Sequence, residues 1–372
     1  MSKNNTKREK INGQSIFAIV FVVLLVVLIG YYFFSSAHKK NARNQTNAVT
    51  DNWTGAGKTP TWSNPSNWSN GVPKNGEEVV FSGSRSKSGS QYIDDNIPGL
   101  VLSGIKFSGK GASADIILSG YPLSIGQSGI VVAYSPSKKN FSLASVDIED
   151  AISFSDNSSI SVSSANILTF TNNSANSLQL DGFSVNVSVS SDSSMTVSSS
   201  LGGNGKLLFN SNSIKSGGNV VFVSPSKTFN GSVFIGKGDI VKETNYKPNA
   251  AKNNNPFLAF GNATIKVSGG TLIVAPDTSS TSYSLSNPMV LSGNGALGYN
   301  GAIQTCYSSN NQTCAVPETL NLTGKVSLSG NTELGGVISL NSKQSMTYNI
   351  KKLNKNKHTL TAVNKNTVTI KQ

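Results

Sequence analysis

From about residue 51 onward the chain is broken every few residues by Gly, Asn or Ser. Between the breaks stand short runs in which apolar and polar side chains alternate. Examples are 78–81 (EVVF), 100–107 (LVLSGIKF), 167–170 (ILTF), 232–235 (SVFI), 271–275 (TLIVA) and 319–322 (TLNL). Alternation with period two reads as half-buried β-strand, and no 3.6-residue pattern of any length competes with it. The runs are shorter than the seven or eight strands a sandwich of this length would use. A tripeptide recurs among them, Leu-Ser-Gly at 102–104, 118–120, 291–293 and 328–330, with Leu-Thr-Gly at 322–324. Its expected place is a strand end, with Leu inward, Ser outward and Gly turning the backbone at positive φ. Weak self-similarity of strand–turn units is the signature of a stacked β-solenoid, in which each rung covers its neighbour's apolar row. The expected fold is therefore all-β, a parallel β-helix.

Composition agrees. Only 13% of the 372 residues are charged, which excludes a coiled coil or helical bundle, and the regular apolar spacing excludes full disorder. The net charge of +13 sits at the two ends. Residues 1–43 hold seven bases and one acid, 343–372 hold seven bases and no acid, and the body between them is neutral with a single arginine, Arg85. A neutral body with one arginine argues against nucleic-acid binding. Lysine in the tail, interleaved with strand-like runs at 346–350, 359–363 and 367–370, suits an edge that resists strand addition. The sharper reading is attraction to anionic surface polymer or headgroups.

Residues 16–34 (IFAIVFVVLLVVLIGYYFF) carry no charge. As a helix they span about 29 Å, the thickness of a bilayer core. The expected organisation is a basic cytoplasmic N-terminus (1–14), a single transmembrane signal anchor (15–34), a flexible linker (35–50), a β-helix body (51–342, with 51–83 as its cap) and a basic C-terminal β tail (343–372). The body is expected outside the cell. The rival reading is a signal peptide cut after Ala37, which would make the protein secreted. Cys306 and Cys314 enclose a short polar loop. They read as a disulfide formed in an oxidising compartment, or as two unrelated thiols.

All three tryptophans lie within sixteen residues, in Trp53-Thr54-Gly55 and then Trp62-Ser63-Asn64-Pro65-Ser66-Asn67-Trp68-Ser69-Asn70-Gly71-Val72-Pro73. Clustered indoles offer sugar-stacking faces; the plainer reading is that they plug the open end of the solenoid. With Gly76 to Phe81, this segment resembles the opening of bacterial surface proteins with autotransporter-associated β-strand repeats. Residues 97–130, 201–208, 229–241 and 285–299 resemble that family's repeats. The resemblance implies a right-handed parallel β-helix exposed at the cell surface, often as an adhesin-like passenger. No translocator barrel follows the resembling region.

Catalytic chemistry is sparse. Parallel β-helices include polysaccharide lyases and hydrolases, which need paired carboxyls. Asp94 and Asp95 are adjacent and point to opposite faces of a strand. Asp147 and Glu149 share a face, with Asp150 following. That cluster suits Ca²⁺ or acid/base work, against the plainer reading of a solvated outer face. No cofactor is expected. The function expected is a structural or adhesive, non-enzymatic one, at the surface through residues 15–34, with surface glycans or another cell as partner. The alternative is a carbohydrate-binding or polysaccharide-degrading β-helix.

Overall fold

The computed structural model describes residues 49–82, 90–110, 115–135, 144–172, 177–210, 218–244, 259–275, 282–299, 301–305, 319–335, 346–363 and 368–372. Among these residues the chain is a parallel β-solenoid of about nine turns with almost no helix. Each full turn visits three parallel ladders.

The first ladder begins with Thr50–Asn52 beside Glu78–Ser82 and continues through the second halves of Val101–Lys110 and Leu123–Ser135 to Ser158–Val162 and beyond. The second stacks Gln91–Asp95, Ile116–Gly120, Ser145–Ile148 and Ile167–Phe170, and ends on Leu360–Ala362. The third takes the starts of the two long strands and then Ile152–Phe154, Leu178–Gln179 and Leu201–Gly202. It resumes at Ser282–Leu285 and closes with Val368–Lys371.

Alternation along each strand makes columns across the rungs. One buried column on the first ladder runs Val79, Ile105, Ile130, Ile160, Val187, and on to Leu291 and Leu328, all at most 2% exposed. No rung closes a core by itself, so these columns hold the stack together. On the second ladder the column Ile93, Leu118, Ile148, Phe170, Val197, Phe222 meets one exception, the buried Glu243, before Val274.

The recurring tripeptide does not always end a strand. Leu118–Gly120 and Leu291–Gly293 do, but Leu102-Ser103-Gly104 and Leu322-Thr323-Gly324 lie inside long strands, at register shifts where the chain passes from the third ladder to the first. Gly104 and Gly324 lack a positive φ. Their reason is close approach: a Cβ on Gly324 would lie 2.3 Å from the Asn287 carbonyl oxygen of the rung before.

The apolar run 16–34 and both cysteines, Cys306 and Cys314, lie outside the described residues. No helix among the described residues is long and apolar enough to cross a membrane.

Candidate functional site

The tryptophan segment folds over the first rung as an aromatic plug. Asn67 organises it: its side-chain amide donates to the carbonyls of Thr59 and Thr61 at 2.7 and 2.9 Å, and its Oδ1 accepts from the Gly57 amide at 2.8 Å. Asp51, fully buried, accepts from Ser69 Oγ and the Asn70 amide. These anchors seat Trp53, Trp62 and Trp68 around Phe81. Trp68 meets Trp53 and Trp62 edge-on, with ring centroids 4.9 and 5.3 Å apart, and Phe81 stacks on Phe107 of the next rung at 5.0 Å. The Trp68 indole N–H donates to the Trp62 carbonyl at 2.8 Å. Exposure is 6% for Trp53, 0% for Trp62 and 5% for Trp68. Stacking on a sugar needs an open ring face, and these rings spend theirs on each other.

Beside the plug lies a cleft of about 220 Å³, lined among others by Trp53, Lys58, Asn67, Gln91 and Tyr92. Tyr92 is the exposed aromatic there, at 63%.

The second site gathers acids that the sequence shows only as separate dipeptides. Asp95 pairs with Gly120 in the second ladder, and Leu118 with Ile148 in the rung after. Continuing that register by two residues sets Glu149 beside Ser119 and Asp150 beside Gly120. Asp94 and Glu149 therefore face outward two rungs apart, both exposed, while Asp95 and Asp150 face inward two rungs apart at 0% and 2% exposure. Gly120 stands between the inward pair with φ +155, and a Cβ there would lie 2.0 Å from the Asp95 carbonyl oxygen.

The inward carboxyls are poorly provided for. Asp95 Oδ1 accepts from the Ile97 amide at 3.2 Å, and Asp95 Oδ2 and both oxygens of Asp150 have no hydrogen-bond partner. Burial pushes Asp95 up to about 7, with the Ile97 amide opposing and the charge of Asp94 adding. Burial also pushes Asp150 up to about 8, helped by the charge of Asp95 and opposed by the nearby Gly120 amide, which makes no hydrogen bond of normal geometry to it. No positive charge is among the causes acting on either group. Asp147, half-buried, is raised by burial and steadied by Thr171 Oγ1, which donates at 2.7 Å.

The acids thus divide by access. Asp147 and Glu149 do share the outer face, but Asp150, the group nearest to working as an acid at neutral pH, is sealed inside. Among the described residues no three His, Cys, Asp or Glu side chains come together to hold a metal ion, so the Asp147–Glu149–Asp150 cluster makes no Ca²⁺ site of that kind. The partnership of Asp95 with Asp150 was missed in the sequence, although a signal was present: aligning Ile93, Leu118 and Ile148 as one buried column stacks the acidic dipeptides.

A scan against family models, and searches of the curated proteins and of the solved structures, return no match to this chain.

Proposed function

We propose that this chain is a membrane-anchored cell-surface protein. Its right-handed β-helix, related to the passengers with autotransporter-associated β-strand repeats, serves a structural or adhesive role and carries out no catalysis. One observation carries the reading: the carboxyls that burial raises to about 7 or 8, Asp95, Asp150 and Glu243, are closed off inside the solenoid, where no polymer substrate reaches them. The uncharged run 16–34 supports anchoring, and the short polar linker after it supports display of the body away from the bilayer. Cys306 and Cys314, eight positions apart, support an oxidising location.

Intact cells treated with a protease and a membrane-impermeant maleimide test this reading. The body should be cleaved, and the cysteines should take up maleimide only after reduction. Protection until lysis, with immediate labelling afterwards, sinks it. A polysaccharide panel read by released reducing sugar separates it from the degradative alternative, for which turnover should fall with Asp147→Ala or Glu149→Ala.

The carbohydrate-binding reading keeps one observation in its favour, the cleft beside Trp53 with the exposed Tyr92 on its rim. Saccharide titration that changes tryptophan fluorescence, and is abolished by Tyr92→Ala, would favour it.

A further inference from the structure

The two ends of the solenoid are finished differently. The first rung is plugged by three indoles, whereas the last carries lysine. Met346–Asn354 supplies the final rung of the first ladder and the penultimate one of the third, and Leu360–Ala362 ends the second. Val368–Lys371 then covers only the Met346–Asn349 part. Among the described residues no strand pairs with the outer edge of 352–354 or of Leu360–Ala362. That free edge leaves backbone amides open at one end of the core.

Lysines gather along it. Lys351, Lys352, Lys355, Lys357 and Lys371 are all exposed, as is Lys325 one rung earlier. Lys325 and Lys352 are direct partners in neighbouring strands, about 4.8 Å apart along the stack. Like charges set opposite each other destabilise a sheet. Edge protection needs lysine on the edge strand only, so it does not explain the second charge behind it. The turn that carries Lys355 and Lys357 is also held against preference. Asn356 and Lys357 have φ of +45 and +69, and the turn is fastened by the His358 amide on the Lys355 carbonyl (2.7 Å) and by Asn356 Nδ2 on the Leu328 carbonyl (3.0 Å). Among the described residues from 319 onward the one acid is the half-buried Glu333. The body before residue 343 is otherwise neutral, so this is a local field and not the overspill of a basic protein.

We infer that the C-terminal end of the solenoid is a docking surface for a linear anionic polysaccharide, with carboxylate or sulfate groups meeting Lys325 on one rung and Lys351, Lys352, Lys355 and Lys357 along the next. Lys325 and Lys352 are fixed one rung apart, and Lys351, Lys355 and Lys357 extend the charge along the last rung and its turn, which suits a polymer with charge repeated along it. A bilayer surface fits less well, since Val363, at 37%, is the only large exposed apolar side chain among the described residues of these rungs. The inference deepens the proposed adhesive role and rests on the surface location in that reading.

The test uses the full-length chain reconstituted in detergent-free neutral-lipid nanodiscs, with polygalacturonate, dextran sulfate, neutral dextran and anionic-lipid vesicles as probes. The chain should bind the two polyanions and not neutral dextran, with affinity falling steeply as salt rises. The variant K351Q/K352Q/K355Q/K357Q should bind at least about tenfold more weakly, with an unchanged unfolding midpoint. The control K206Q/K227Q/K237Q/K266Q removes the same charge from the body and should bind as the parent does. Equal loss in both variants, no polyanion binding by the parent, or tighter binding to vesicles than to either polyanion overturns the inference. Protease access on intact cells tests the surface location separately. A body that is cleaved there but ignores polyanions leaves the surface reading standing and removes this one.

Discussion

Asp95 and Asp150 point into the solenoid from rungs two apart, and Gly120 between them keeps the space that their carboxyls share. A side chain at 120 would collide with the Asp95 carbonyl oxygen at 2.0 Å, so the column is possible only with glycine in the middle. Three of the four oxygens lack a partner, and both groups are held up by burial, Asp95 to about 7 and Asp150 to about 8. Glu243, buried in the apolar column further along, is likewise pushed by burial up to about 8, with the Ala259 amide opposing.

The sign of the resulting pH dependence follows from linkage. Each of these acids binds its proton more tightly folded than unfolded, where the ordinary values of 3.8 and 4.5 apply. Between those values and about 8 the folded state holds more protons, so stability falls as pH rises through that window and levels off above it. Asp192 is lowered, chiefly by the Ser190 hydroxyl, and its contribution is lost only on acidification below the ordinary carboxylate range. Thermal unfolding followed by circular dichroism should therefore give a higher midpoint at pH 5 than at pH 9. Asp150→Asn, which keeps the shape and removes the charge, should flatten the slope. A midpoint that climbs from pH 5 to 9 contradicts the assignment.

The aromatic plug makes the second prediction. Trp62→Ala empties the largest fully buried side chain of the first rung, at a cost of about 3–5 kcal/mol. In a stack where each rung contacts only its neighbours, the loss should appear first as fraying of the N-terminal rungs. Hydrogen exchange should accelerate in Glu78–Ser82 before it does in Thr319–Leu334. Acrylamide should quench the parent's tryptophans poorly. Strong quenching in the folded protein would show the rings to be open.

Most of the ladder was legible as strand because inward positions are Val, Ile, Leu or Phe at period two. Ile167–Phe170, Ser232–Ile235 and Thr271–Ala275 stand where the alternation places them. Strands built mainly from serine gave a weaker contrast, and Ser158–Val162 and Ser194–Val197 went unread although their inward residues are as buried as any. A solenoid supplies the missing contrast from the rungs above and below, which a single strand's sequence does not contain. The same holds for the acids. Asp94-Asp95 and Glu149-Asp150 are fifty-odd residues apart, and only the register between rungs brings them together. Gly324 was read as a turn residue, whereas its reason lies in the carbonyl of the preceding rung.

That reason yields the third prediction. Gly324→Ala places a methyl 2.3 and 2.4 Å from the carbonyl oxygens of Asn287 and Ser286, backbone atoms that cannot step aside individually. Asn287 is itself tied down, its Nδ2 donating to the carbonyls of Gly261 and Ala263 at 3.1 and 2.9 Å. Strain should cost about 1–3 kcal/mol, read as a lower urea midpoint. A neutral result would mean that the corner between the third and first ladders yields easily.

The fourth prediction concerns Tyr348, which is fully buried in the last complete rung. Its hydroxyl lies 2.6 Å from the Gly335 carbonyl and 3.1 Å from the Ile303 carbonyl, and burial pushes its ionisation above the ordinary tyrosine range. One proton serves one acceptor well, and the shorter contact marks Gly335. The Ile303 carbonyl has a second donor, the Gly335 amide at 2.9 Å, so it stays satisfied without the tyrosine. Tyr348→Phe therefore removes the hydroxyl from the Gly335 carbonyl, at a cost of about 1–2 kcal/mol. Tyr348→Leu adds loss of ring volume and should cost more. Because the hydroxyl ties the second ladder to the third across the C-terminal rungs, hydrogen exchange at Ile303–Thr305 should accelerate in Tyr348→Phe while the N-terminal rungs keep the parent's protection. Equal protection at Ile303–Thr305 in parent and variant would show that the apolar columns hold this end without the hydroxyl.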